Sequence, residues 1–277
     1  MTMGHKKLKK FAENETFKCL LQPSVEDLLA EGFFNLRDHE VKGRWNELMF
    51  ARTQPIVLEL GCGKGEYTID LAQRNPQFNY IGVDIKGARL WKGAKYATEA
   101  GLGNVAFLRT RIEFITAFFA PGEVSGIWLT FSDPQFKSEN SRLTSPVFLE
   151  KYRSFLAPGG LVHLKTDSRF LYEYSSAVVR ANGLDAVVRT TDLYNSPRLE
   201  GRDALYEVQT FYEKMFLQQG YRITYLEFAI DHEGPYVKPE WDEDHWRSVE
   251  GPRLLFGHDS AETRRQKLHR QDQTSVQ

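Results

Sequence analysis

The stretch "PIVLELGCGKGEYTIDLAQRNPQFNYIGVDIKG", residues 55–87, decides the fold. Its apolar run "PIVLEL" is of strand length and stops at Gly61. Gly61, Gly63 and Gly65 then alternate with other residues. Glycine suits such a place because the backbone must turn sharply from strand to helix and come close to a ligand. "GEYTIDLAQRN" reads as the helix that follows, closed by Pro76, and "NYIGVDI" as the next strand. Strand, glycine turn, helix and strand make one βαβ unit.

The same alternation runs on downstream. "GARLWKGAKYATEAG" reads as a helix, "NVAFLRT" as a third strand and "SGIWLTF" as a fourth. "PVFLEKYRSFLAPGG" is a helix expected to end at Pro-Gly-Gly, "LVHLKTD" a fifth strand and "RFLYEYSSAVVRANGL" a helix. "DAVVRTTDLY" is a candidate strand, and "QTFYEKMFLQQG" with "YRITYLEFAI" reads as a helix and a closing strand. The pattern predicts an α/β domain with a mainly parallel central sheet and helices on both faces. Three parts are expected: a basic arm over 1–40 carrying "HKKLKK", the α/β domain over 41–231, and a polar tail over 232–277. The tail is rich in Pro, Gly and Gln and is expected to be largely disordered, with Trp241 and Trp246 docking locally. No internal repeat is visible.

Composition narrows the class. Hydrophobic residues make up 41% of the 277 and charged residues 26%, ordinary for a globular protein with a full core. Lys and Arg number 36 against 37 acids, so a polyanionic partner must be met by a local patch. Cys19 and Cys62 form no CxxC pair, which argues against a zinc site or a disulfide framework and fits a reducing cytoplasm. The N-terminal "MTMGHKKLKKFAENETF" has no apolar stretch behind its charges, so it is not read as a secretory signal. No apolar run approaches the roughly 20 residues that span a bilayer. His163 stands alone on its strand, without a second histidine at metal spacing, and is expected in the core, as are Trp91, Trp128, Phe118 and Phe119.

The chemistry lies in the loops. A nicotinamide fingerprint would place its third glycine at 66, where this chain has Glu66. The spacing G-x-G-x-G with Glu59 before it is instead that of S-adenosylmethionine (SAM) methyltransferases, although a glycine trio alone can be a plain structural turn. Asp84 closes the second strand where a carboxylate can accept both hydroxyls of an adenosine ribose, in SAM or in NAD. Lys86, Arg89, Lys92 and Lys95 form a band around the next helix, either a solvated face or a phosphate-contacting patch. In "LTFSDPQFKSENSRL" (129–143), Asp133 ends the fourth strand and Pro134 restricts it to an extended conformation. Asp-Pro is also a common turn initiator. Here, however, Gln135, Lys137 and Arg142 follow, acceptors for a base edge and cations for phosphates in one loop.

Together, "LELGCGKG", "IGVDIKGARLWKGAK", "TFSDPQFKSENSRL", "LKTDS" and "TFYE" resemble the tRNA (guanine-N7)-methyltransferase family over about residues 55–228. The resemblance implies a Rossmann-like SAM-dependent fold and transfer of the SAM methyl group to N7 of a guanine in the tRNA variable loop. It implies SAM contacts from Glu59, Gly61, Gly63, Asp84, Arg111 and Asp133, with Asp133 catalytic. It assigns Lys137, Asp167, Thr210 and Glu213 to the tRNA side. No metal is implied, and the expectation is a cytoplasmic monomer or weak homodimer with tRNA as partner. Three departures stand out: Ser132 replaces the first proline of "F-P-D-P-W", Gln135 replaces its tryptophan, and "KSENSRL" thins the basic run that follows. "LRTRIEF" also lacks the aspartate that meets adenine, leaving Thr110, Arg111, Glu113 or backbone groups. The competing readings are a SAM methyltransferase of a small molecule or protein, a non-catalytic RNA-binding subunit, and a NAD oxidoreductase that the absent glycine at 66 disfavours.

Overall fold

The computed structural model describes residues 3–33 and 35–250. The chain runs α1 (Met3–Asn14), β1 (Leu20–Leu21), α2 (Val25–Leu28), α3 (Trp45–Leu48), β2 (Ile56–Leu60), α4 (Glu66–Arg74), β3 (Asn79–Asp84), α5 (Gly87–Glu99) and β4 (Val105–Arg109). It continues through β5 (Val124–Thr130), α6 (Pro146–Arg153), β6 (Leu156–Thr166), α7 (Arg169–Ala181), β7 (Ala186–Thr190), α8 (Ala204–Glu207), α9 (Phe211–Gln218), β8 (Thr224–Ala229) and α10 (Glu243–Val249).

Eight strands form one sheet in the order β1-β4-β3-β2-β5-β6-β8-β7. The first six are mutually parallel, and β8 runs antiparallel to both β6 and β7. Every residue of β2 and β3 is buried, because helices cover both faces of a parallel sheet. One face packs against Trp45, Phe118, Phe119, Tyr152 and Leu171; the other carries Tyr67, Leu90, Phe107, Trp128 and Tyr225. The order reverses between β2 and β5, since the chain leaves β2 in one direction and returns beyond it on the other side. Open α/β sheets bind ligands at such a switch, beyond the carboxyl ends of the strands. This is the Rossmann-like architecture expected from the sequence.

The differences from the sequence reading are local. β6 already begins at Leu156, so "LAPGG" opens a strand, and α6 stops at Arg153. β1 is only two residues long and carries no periodicity to read; its pairing with β4 places Leu20 opposite Phe107. Residues 3–14 of the basic arm are helical and lie along α5. There the Asn14 amide donates to Gly87 O at 3.0 Å, and the Trp91 indole donates to Glu13 at 2.5 Å.

Of the segment expected to be a largely disordered tail, residues 232–250 pack against α7 and include α10. Their order comes from tertiary partners: the Trp241 ring meets Phe170 at 4.9 Å and Tyr174 at 5.3 Å. The remainder, 251–277, lies outside the described residues.

Candidate functional site

The glycine turn after β2 is built as its sequence requires. Gly61, Gly63 and Gly65 take φ of 79°, 58° and 73°, left-handed values that side chains with a Cβ adopt only at a cost. At Gly65 a Cβ would also stand 2.5 Å from the Phe107 ring. At Gly61 and Gly63, by contrast, a Cβ would meet nothing within 4 Å, so the backbone there faces open space. Asp84, at the end of β3, accepts from the Gly63 N–H at 3.0 Å and the Lys86 N–H at 2.7 Å. Its carboxylate is therefore fixed against the turn.

Glu59 is 3% exposed. It accepts from the hydroxyls of Thr68 on α4 and Thr130 at the end of β5, which ties the two strands together across the switch point. Burial pushes its carboxyl pKa up, and the two threonine bonds pull against that. At the end of β4, Thr110 is buried and its hydroxyl has no hydrogen-bond partner. Arg111 instead turns outward, 3.1 Å from Glu113 and over the Phe114 ring.

Asp133 follows β5 on an exposed loop. Its carboxylate accepts from the Gln135 N–H at 2.9 Å, closing a small turn around Pro134. Phe131 and Gln135, on either side, have φ of 51° and 49°. Left-handed backbone at two non-glycine residues is strain that the surroundings must enforce, and such strain gathers at functional loops. Lys137 is exposed in the same loop. Asp167 follows β6, the next strand over, and lines a cleft of about 230 Å³ with Arg169, Arg222 and Glu250.

Thr210 caps α9, its hydroxyl accepting from the Glu213 N–H at 3.1 Å. Glu213 itself is fully buried and 2.8 Å from Lys165, which is fully buried on β6. Lys165 Nζ also donates to the carbonyls of Leu205 at 2.6 Å and Val208 at 3.2 Å. Burial lowers the Lys165 pKa, and Glu213 opposes that shift. Tyr194 donates to Glu213 Oε1 at 2.5 Å, while Oε2 is buried with no hydrogen-bond partner. The "LKTDS" and "TFYE" motifs are thus joined by an ion pair. Sequence reasoning missed Lys165, because a lysine in a strand reads as surface; the only cue was its position two residues after inward-facing His163.

Trp128, Phe118 and Phe119 are buried as expected, whereas Trp91 and His163 are only partly buried; His163 stacks on Trp128 at 4.3 Å and lies 2.8 Å from the Tyr225 hydroxyl. Of the basic band on α5, Lys92 pairs with Glu66 at 2.8 Å and Lys95 with Glu99 at 2.6 Å. The structure therefore sets Asp84, Glu59, Asp133 and Asp167 at the carboxyl ends of four neighbouring strands, β3, β2, β5 and β6. Thr210 and Glu213 stand beside them on α9, held to β6 through Lys165. Among the described residues, no group of three or more His, Cys, Asp or Glu could hold a metal, and no helix is long and apolar enough to cross a membrane.

Comparison with known proteins adds a family. A family model described as "Putative methyltransferase" matches residues 53–226. A tRNA (guanine-N(7)-)-methyltransferase of Bacteroides thetaiotaomicron is 46% identical over 238 residues, 86% of this chain and 91% of that protein. The enzyme of the same name from Christiangramia forsetii is 48% identical over 234 residues, 82% of this chain and all of that one. Among solved structures, the 16S rRNA methyltransferase KamB superposes with a TM-score of 0.50 at 13% identity, covering 73% of this chain and 95% of its own, a likeness of fold.

Proposed function

The chain belongs to the tRNA (guanine-N(7)-)-methyltransferase family, and from that membership we propose that it methylates N7 of a guanine in the variable loop of tRNA, with SAM as donor. The observation that carries this reading is the row of acids at the carboxyl ends of β3, β2, β5 and β6, on both sides of the switch point.

The residues present fit SAM. The open backbone of Gly61 and Gly63 receives its methionine portion, and Asp84 takes the ribose hydroxyls. Thr110 offers its buried, unpaired hydroxyl on the adenine side, while the Arg111 guanidinium is engaged with Glu113, so any contact from Arg111 comes through its backbone. Glu59 holds the turn to β5 from beneath. When bound, SAM supplies an electrophilic methyl on a sulfonium.

Guanine N7 carries an in-plane lone pair and needs no deprotonation before it attacks. The protein's task is therefore placement rather than strong base catalysis. Asp133 and Asp167 accept from the guanine N1–H and exocyclic amine, which rejects adenine at that edge. Their charge also favours the cation that forms on the alkylated ring. Lys137 meets a backbone phosphate. Glu213 Oε2 is the further acceptor, and reaching it requires α9 to lift from the sheet. The partner is tRNA, the compartment the cytoplasm, and the oligomeric state a monomer or weak homodimer.

The test incubates the protein with labelled SAM and tRNA lacking the modification, then maps label at guanine N7 by aniline cleavage. Asp133→Ala should lower turnover about 100-fold or more while SAM binding persists. Cleavage elsewhere, or near-parental turnover in that variant, would refute the assignment.

A further inference from the structure

Resting on that reading of the site, we infer that residues 232–250 form a strap that positions the Asp133 loop and the Asp167 turn for methyl transfer. Arg247 and Glu250 are its positioning residues.

The strap holds the Asp133 loop at three points. Arg247 Nη2 donates to the carbonyl of Phe136 at 2.6 Å. Lys238 pairs with Glu139 at 2.9 Å. Arg142, only 1% exposed, lies 3.2 Å from Glu243, with its guanidinium over the rings of Phe170, Tyr174 and Trp241 at 4.7, 4.4 and 5.4 Å. The loop is therefore pinned from its far side as well as by β5. That answers the demand made by left-handed Phe131 and Gln135: a strained loop keeps one shape only if its surroundings over-determine it.

The strap reaches the Asp167 turn through Glu250. This carboxylate is buried and accepts from the Ser168 hydroxyl and from the Phe170 N–H at 2.9 Å. It thereby completes the cap of α7, the helix that begins two residues after Asp167. The Trp246 ring lies 5.2 Å from the Arg169 guanidinium in the same turn. None of these contacts touches the glycine turn or Asp84. The strap thus acts on the two loops assigned to tRNA and to transfer and leaves the SAM side alone. A small displacement of reacting groups carries a large penalty in rate, so loss of these anchors appears in kcat.

The experiment uses the full chain and the variants Arg247→Ala, Glu250→Ala and Glu250→Gln. It measures kcat and KM on unmodified tRNA, SAM affinity by calorimetry, and amide exchange peptide by peptide. Arg247→Ala should speed exchange in 131–142 and Glu250→Ala in 166–172, each with kcat down about tenfold, SAM affinity within about twofold, and 57–70 unchanged. Glu250→Gln keeps the acceptor and should restore both readouts. Parental kcat in both alanine variants, unchanged local exchange, a uniform rise across all peptides, or no rescue by glutamine would each overturn the strap. A parent protein inactive on every tRNA would instead sink the proposed function, with the exchange readout still deciding whether the strap holds the loops.

Discussion

Glu227 sits fully buried on β8, within 3.5 Å of His163, with a bidentate partner in Arg202 at 3.0 and 2.6 Å and a hydrogen bond from Tyr225 at 2.6 Å. Burial alone would raise its pKa; the bonds from His163, Arg202 and Tyr225 outweigh that and hold it well below the usual carboxylate range. A carboxyl lowered in the folded state contributes stability that is complete above its unfolded pKa, about 4.3, and lost as pH falls below it. Thermal midpoints followed from pH 6 to pH 2 should therefore fall more steeply in the parent than in Glu227→Gln; parallel curves would count against this. At the same scale, buried Glu59 ties β2 to α4 and β5 through Thr68 and Thr130. Sequence gave its position, while its partners Thr68 and Thr130 were hidden, because nothing in a linear pattern says which hydroxyls meet a buried acid.

At the scale of elements, α9 is held to the sheet by Lys165 and Glu213. Removing one member of a buried pair strands the other, at a cost of about 3–5 kcal/mol, whereas replacing both with apolar groups of similar size is often neutral. Lys165→Ala should thus lose stability in that range by denaturant unfolding. The double variant Lys165→Met with Glu213→Leu should recover most of it and still fail to methylate tRNA; recovery of turnover would show that Glu213 has no part in the reaction. Elements with their own periodicity were legible from sequence: β2 to β8, α4 to α7 and α9. β1 and α10 were not. Two leucines make no period, and α10 has only Trp246 and Val249 as apolar residues and is anchored by Arg142 and Phe136 more than 100 residues away.

Taken whole, the molecule is almost neutral, with a formal net charge of −1. In the proposed function its grip on RNA would have to come from local cations, and two on α5, Lys92 and Lys95, are already paired with acids. Lys137→Ala should weaken binding similarly across tRNA species and lower the slope of log affinity against log salt by about 1, the loss of one phosphate contact. An unchanged slope in a filter-binding series would remove Lys137 from the interface. The positions of the candidate acids were readable because each lies at or just beyond the end of a strand in a recognisable motif. The frame that steadies those acids was not, since it is assembled from residues that meet only in the finished fold.

The pairing of β1 with β4 also fixes an order in time. The partners of Leu20 and Leu21, Phe107 and Leu108, are made more than 80 residues after them. Until then the segment has no neighbour to pair with, and closing so long a span costs chain entropy that short-range helices do not meet. Of the strands β1 to β4, the earliest in the chain is thus the last to pair, since β2, β3 and β4 must be in place before β1 has an edge to join.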